Sequence, residues 1–404
     1  MREWTSHKLA DLIEIKHGFA FKGEHFGENP DGPILVTPGN FAIGGGFKDG
    51  KPKSYSGPIP EGFTLREGDL VVTMTDLSKG ADTLGYTGLI PGGKTYLHNQ
   101  RIGKVEIRQA GRLDRGFLYY ALHTNAYRQH VVGGATGTTV KHTSPTRIGQ
   151  YALFLPPIPE QQAIAAVLRA LDDKIAVNER IAATTRQLGL AIFARAILEG
   201  EAVKVDIDSV SSNITRGIAP KYSDSPNDLT VLNQKCIRDG RVNLGPARRT
   251  LHEKVKAPKI LQRNDVLVNS TGVGTLGRVA LWMSGGAATV DSHITIVRFD
   301  EAQIDPLCAG FAMLRAQPEI EARGEGSTGQ TELRRTQLGS LGITLPSRTK
   351  QRQLRPKLNA LEEQANQAPA ESQALIRLRD TLLPQLMSGR LRVKDAEKIV
   401  EDHV

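Results

Sequence analysis

Two long stretches carry apolar residues at helical spacing. In the first, Gln161–Leu198, they fall at Ile164, Val167, Leu168, Leu171, Ile175, Ile181, Leu188, Ile192 and Ile197. The period is near 3.5, an imperfect coiled-coil seam interrupted by the polar Asn178 and Thr185. The second stretch, Gln351–Leu386, carries Leu354, Leu358, Leu361, Ala365, Leu375, Leu378 and Leu382. Pro369 sits mid-stretch and predicts a kink or break there. Pro156-Pro157-Ile158-Pro159 predicts an extended, non-helical lead into the first stretch. Elsewhere the pattern shortens to β-branched runs between Gly and Pro: Ile34–Thr37, Asp69–Met74 and Ile102–Ile107. These read as an irregular sheet. Phe117–Val131 predicts one helix packed on it, and Pro306–Ala322 a second of the same kind. The fold class is α+β.

The pattern repeats. Ile148–Pro156 reads against Leu338–Pro346 at an offset of 190, which holds through Gln161/Gln351 and on to Leu188/Leu378. Leu84-Gly85 matches Leu276-Gly277, and Asn99 matches Asp291, both at 192. Gly68–Val72 matches Asn264–Val268 at 196, and Ile15 and Gly18 match Ile214 and Gly217 at 199. Offsets that change only between matches are what loop insertions produce. The chain is read as a duplication: a sheet-rich unit of about 155 residues, then a helical arm, twice over. Predicted boundaries are 1–157 and 201–346 for the sheet-rich domains, 158–200 and 347–392 for the arms, and 393–404 for a tail. At about 1.5 Å per residue each arm spans roughly 55 Å. Equal length and repetition favour two arms pairing antiparallel over two solitary amphipathic helices.

Composition narrows the classes. The 404 residues have a formal net charge of +9, which favours polyanionic partners without specifying one. Two cysteines, Cys236 and Cys308, are too few for a disulfide framework or a Cys-rich zinc site and fit a reducing, cytoplasmic setting. The N-terminus does not read as a signal peptide, and no apolar run approaches the roughly 18 residues of a membrane span.

Two strings imitate catalytic motifs. Gly88–Thr95 satisfies GxxxxGK[ST], but Tyr96–Ile107 after it reads as strand, so a hairpin turn is expected rather than a phosphate loop. Gly272–Gly277 satisfies GxGxxG, but strand-like residues follow and no acidic residue lies about 20 positions on. The ten His include no pair at metal-ligand spacing on a credible helix, so no metal site is expected.

Several segments resemble type I restriction–modification specificity subunits. They are Glu3-Trp4 leading to Leu9-Ala10-Asp11, Pro156–Ile164 leading into Leu171–Ile175, and Leu382–Leu391. The resemblance implies two target-recognition domains separated by two antiparallel coiled-coil helices with pseudo-twofold symmetry. It implies a non-catalytic chain with three kinds of partner: double-stranded DNA, two methyltransferase (M) subunits and restriction (R) subunits. S-adenosylmethionine, ATP and Mg are expected on those partner subunits and no cofactor on this chain. The sequence departs from the pattern in its second linker, where Pro346–Gln351 replaces the Pro-rich lead. No Asn-Pro-Pro-aromatic or Asp-Pro-Pro-aromatic string is found, as amino-methyltransferases would need.

Under that resemblance, DNA-reading residues are sought in Gly- and Thr-rich turns that recur in both halves. One is Gly133–His142, with Thr136, Thr138, Thr139, Lys141 and His142, set against Gly326–Arg335, with Ser327, Thr328, Gln330, Arg334 and Arg335. The other is Thr73–Gly80, with Thr73 and Lys79, set against Asn269–Gly274, with Ser270. Small residues let the backbone approach phosphate, while Gln pairs adenine and Arg pairs guanine bidentately. Arg101, Arg147 and Arg278 are further phosphate candidates, whereas Trp4 and Trp282 are assigned to the core. Subunit contacts are assigned to the arms at Gln161, Ile164, Leu171, Ile175, Leu188, Leu358, Leu375 and Leu382. Each domain is expected to read half of a bipartite, asymmetric target. The competing classes are a self-contained enzyme, a protein-only coiled-coil adaptor, and the recognition subunit of a related phage-defence methylation system.

Overall fold

A computed structural model describes residues 4–29, 31–48, 53–78, 80–324 and 332–403. The chain divides into two compact units, Met1–Ile175 with Gln373–Val404, and Ala176–Ser372.

In the first unit Thr5–Lys8 pairs antiparallel with Ala152–Leu155. A four-stranded antiparallel sheet runs in the order Ile13–His17, Ile102–Ile107, Leu70–Thr73, Thr87–Leu89. A second small sheet sets Ile34–Leu35 parallel to Tyr96–Leu97. The second unit repeats this plan. Ala202–Asp206 pairs with Gly342–Pro346. The four-stranded order is Ser211–Arg216, Ile294–Phe299, Val266–Asn269, Val279–Leu281. Leu229–Leu232 lies parallel to Ala288–Val290. The predicted strands sit where the alternation put them, and the duplication is one of topology as well as sequence.

The glycine pair 199 residues apart has a steric cause. A Cβ on Gly18 would lie 2.2 Å from the carbonyl oxygen of Asn99, and one on Gly217 would lie 2.1 Å from that of Asp291. Each glycine therefore lets its strand end pass against the other sheet's entry, at Phe19/Asn99 and Ile218/Asp291.

Three expectations change. The helix expected over Phe117–Val131 is two, Arg115–Ala121 and Asn125–Gly133. Thr124 restarts the second, its hydroxyl accepting the Tyr127 N–H at 3.4 Å. Pro306–Ala322 likewise divides into Pro306–Arg315 and Gln317–Ala322. Second, the first arm is helical over Ile158–Leu198, so Pro159 lies in its first turn, where a missing N–H costs no helical bond. Third, the second arm, Arg348–Met387, is an unbroken helix through Pro369. Ala365 and Ala368 beside that proline are buried, so packing holds the turn that the lost hydrogen bond would loosen.

Each unit contains part of both arms. In the first, Ile164, Leu168, Leu171 and Ile175 share a core with Leu375, Leu382 and Leu386. In the second, Phe193 and Ala196 share a core with Leu354 and Leu358. The start of one arm meets the end of the other, the pairing order of antiparallel helices. One ion pair marks each set: Asp172–Arg379 at 2.8 Å and Arg186–Glu362 at 2.9 Å. Asp172 and Glu362 are 190 residues apart, the offset of the repeat. Asn178 and Thr185, the polar interruptions of the seam, are buried. An 18-residue window of the first arm reaches a mean hydropathy of 1.2, long and apolar enough by composition to cross a membrane. That window falls in the arm's C-terminal half, where Phe193 and Ala196 are packed in the second unit's core. The tail forms a helix, Val393–Glu401, that adds Ala396 and Val400 to the same core.

Candidate nucleic-acid interface

The strand Leu70–Thr73 runs out into a turn, and a short hairpin returns beside it. Lys141 pairs with Asp76 and His142 with Thr75, so the two candidate segments of the first unit form one surface. Thr136 and His142 exchange backbone hydrogen bonds at 3.0 and 2.9 Å, closing a loop on which Thr138 and Thr139 are exposed. Asp76 staples the neighbouring turn. Its carboxylate accepts the N–H groups of Ser78 (2.6 Å) and Thr83 (2.5 Å) and the Thr83 hydroxyl (2.7 Å). Burial pushes this carboxyl up, but those donors outweigh it and hold Asp76 below the usual carboxylate range. Arg101, exposed, joins the surface through its carbonyl, which accepts the Met74 N–H at 3.0 Å.

The second unit builds the same junction. Thr271 bridges Glu332, and Ser270 accepts the Leu333 N–H at 2.8 Å. His293 stands where Arg101 stands in the first unit, its Nδ1 2.6 Å from the Thr271 hydroxyl. Beside it opens a cleft of about 550 Å³ lined by Thr215, Arg216, Lys259, Glu332, Arg334 and Arg335. Arg216 donates to Glu332 (2.7 Å) and to the Leu333 carbonyl (2.9 Å), and Lys259 donates to the Gly217 carbonyl at 2.8 Å. Four cations face one carboxylate, so the cleft favours an anion.

The candidate residues fall into distinct environments. Thr136, Thr138, Thr139, His142, Arg334 and Arg335 are exposed, and Lys141 is half-buried. Thr73 and Ser270 are fully buried. The Thr73 hydroxyl donates to the Thr75 carbonyl (2.9 Å), and that of Ser270 lies 2.5 Å from the Thr295 hydroxyl. These two shape the strand end and do not face solvent. Arg278 is half-buried and closes a turn by donating to the Gly274 carbonyl at 2.8 Å. Arg147 is likewise turned inward, onto the His130 carbonyl at 2.7 Å. Lys79, Ser327, Thr328 and Gln330 lie outside the described residues.

The match of Gly133–His142 to Gly326–Arg335 is corrected in register. Ser144 and Arg334 occupy the same place, each preceding a short helix, Pro145–Gly149 and Arg335–Gly339. The structural offset is thus 190, and Arg334 and Arg335 sit at a helix start rather than in the turn. Neither imitation motif precedes a helix. Gly88–Thr95 links strands of two different sheets rather than closing a hairpin, and Gly272–Gly277 is a turn between Val266–Asn269 and Val279–Leu281. Arg216, Lys259 and His293 were not among the candidates. The Arg101/His293 pair carries the 192 offset of Asn99/Asp291 and was readable from it.

Of the arm residues assigned to subunit contacts, Leu188 is 48% exposed, while Ile164, Leu171, Ile175, Leu358, Leu375 and Leu382 are buried in the chain's own cores. Gln161 is 1% exposed and turns inward too. Its Oε1 accepts the Asp114 N–H (2.8 Å), and its Nε2 donates to the carbonyls of Arg112 (2.9 Å) and Pro156 (2.8 Å). Gln351 repeats this with the Asp305 N–H and the Pro346 carbonyl, both at 2.8 Å.

Residues 1–185 match the family model of the type I restriction modification DNA specificity domain. The chain is 26% identical over 330 residues to the type I restriction enzyme EcoBI specificity subunit of Escherichia coli, across 73% of this chain and 64% of that one. It is 24% identical over 182 residues to the MjaVIII specificity subunit of Methanocaldococcus jannaschii, across 44% of this chain and 41% of that one. The matched stretches thus span less than two thirds of those relatives' lengths. The fold is that of the S subunit of a type I restriction–modification system from M. genitalium, at a TM-score of 0.60 and 17% identity over 95% of this chain and 96% of that one. The first 185 residues thus match the DNA specificity domain of type I restriction–modification systems, and the chain as a whole is similar in sequence and fold to specificity subunits of such systems.

Proposed function

We propose that each unit reads one half of a bipartite, asymmetric DNA target through its joined turns, and that the chain performs no catalysis itself. The observation that carries this is the junction of the two candidate segments at the same strand end in both units, with Arg101, Lys141 and His142 on one and Arg216, Lys259, His293 and Arg334 around the other. Hydroxyls and guanidinium groups there suit phosphates and base edges. On this reading methylation and cleavage belong to two methyltransferase subunits and to restriction subunits, which bring S-adenosylmethionine, ATP and Mg to a cytoplasmic complex. A gel-shift titration of the chain with its methyltransferase partner, on duplex DNA, tests it. Affinity should fall steeply with salt, and Arg334→Ala and Arg335→Ala should each lower the log–log slope by about 0.9 per lost phosphate contact. A flat salt response refutes the reading.

A further inference from the structure

At the tip of each junction stands one aliphatic side chain that the surrounding polarity does not explain. Leu77 is 64% exposed and Val273 is 77% exposed. They are 196 residues apart, the offset of the strands Leu70–Thr73 and Val266–Asn269 that lead into them. The same exposed apolar position therefore occurs in both units.

Neither sits on a loose loop. Leu77 lies between Asp76 and Ser78, at the staple where the Ser78 N–H donates to the Asp76 carboxylate at 2.6 Å. Val273 lies in a turn closed by the Thr275 and Leu276 N–H groups on the Gly272 carbonyl, at 3.1 and 3.0 Å, and by Arg278 on the Gly274 carbonyl. Both knobs are held in place before any partner arrives, which lowers the cost of ordering them on contact.

The chemistry around them selects the partner. Their chain neighbours are polar or glycine: Asp76 and Ser78 flank Leu77, and Gly272 and Gly274 flank Val273. A protein-docking surface is built around a contiguous apolar centre, and among the described residues one aliphatic group flanked by polar residues or glycine does not supply one. It does match a DNA major groove, where the donors and acceptors of the base edges are interrupted by one apolar group, the C5 methyl of thymine. Lys141 on the strand beside Leu77, and Arg278 beside Val273, supply the positive charge that a duplex requires.

We propose that Leu77 and Val273 are specificity-determining residues, each packing against the C5 methyl of a thymine in its own half-target. The proposal rests on the DNA-reading function above. Its test uses the full chain with its methyltransferase partner and a randomised duplex pool, sequencing the bound fraction. Leu77→Ala should flatten a thymine preference at one position in one half of the recovered motif, and Val273→Ala at one position in the other half. Deoxyuridine in place of that thymine should then weaken wild-type binding roughly 4-fold, the worth of one methyl-sized apolar group, and leave the matching alanine variant unaffected. Unchanged motifs, or wild-type indifference to deoxyuridine (as a wedge between base steps would show), overturn the proposal. Loss of co-purification with the methyltransferase in either variant overturns it in favour of a protein contact. Failure of the wild type to enrich any motif overturns the DNA-reading function itself.

Discussion

Gln161 offers the most direct test of how the arms are fixed. It is the first of the two repeated glutamines, and its side chain makes three hydrogen bonds where that of Gln351 makes two of the same kind. Gln161→Leu keeps the volume and removes all three. At about 1 kcal/mol per bond, with the Asp114 N–H and two carbonyls left without partners, the loss is about 3 kcal/mol. The new apolar burial returns about 1 kcal/mol, for a net cost of about 2 kcal/mol. Gln351→Leu, with two bonds, should cost about 1 kcal/mol less. A two-unit chain need not unfold in one step, so the measurement should be local: native-state hydrogen exchange of Arg115–Ala121 and of Pro306–Arg315, the helices that follow Asp114 and Asp305. The exposed neighbour Gln162→Leu serves as control. Equal exchange in Gln161→Leu and the control, or a larger effect for Gln351→Leu, would refute the reasoning.

Three further outcomes follow from single features. Arg186 and Glu362 pair at 2.9 Å with side chains 7% and 1% exposed, and burial pushes Arg186 down and Glu362 up, so removing one partner leaves the other charge buried without it. Glu362→Leu alone should cost about 3 kcal/mol or more, and Arg186→Met with Glu362→Leu much less, as read by a double-mutant cycle in urea; an additive cycle contradicts this. Burial pulls the His123 imidazole down to about 4 against an added bond to the Thr87 carbonyl, below the roughly 6.5 of an unfolded chain. The unfolded state takes up this proton first as pH falls, so stability is lost between about pH 6.5 and 4 and no further below. His123→Gln should remove that part of the decline in Tm between pH 7 and 4.5, and an identical decline in both proteins would count against it. Gly18→Ala and Gly217→Ala should each cost at least about 2 kcal/mol in chemical denaturation because the methyl meets a carbonyl oxygen; wild-type stability in either would show that the strand ends can move apart.

What could be read from the sequence depended on whether a feature was local and repeated. The arms were legible because a period near 3.5 persists over ten turns, and Gly18/Gly217 because steric contact with Asn99 and Asp291 constrains both copies alike. The split at Thr124 was readable as a capping residue but was hidden by apolar positions that continue across it. Pro159 and Pro369 were read by their intrinsic preference, which helix position overrides in one case and packing in the other. Gln161 was singled out by repetition and assigned to a subunit contact; its amide donates to the carbonyls of Arg112 and Pro156, and a seam pattern does not say whether a polar residue beside it faces solvent or a carbonyl. The basic cleft of the second unit draws on Thr215, Lys259 and Arg335, which are far apart in the chain and meet because the short helical segments Ala257–Lys259 and Arg335–Gly339 pack against the strand Ser211–Arg216.

The division of the arms has a bearing on synthesis. Ala176–Ser372 is contiguous and has every residue of its unit once position 372 has been made, whereas the other unit needs Gln373–Val404 to complete a core begun at Leu9. Closing that long chain segment is slow relative to local pairing, because its loop entropy must be met before the contacts form. During translation the first-made sheets therefore wait, with the faces of Leu168 and Leu171 that later meet Leu375 and Leu382 still uncovered, while the second-made unit finishes ahead of them. A nascent chain stalled in the second arm would hold one complete unit and one open, aggregation-prone core, so the synthesis of residues 373–404 is the step that allows the first unit's core to close.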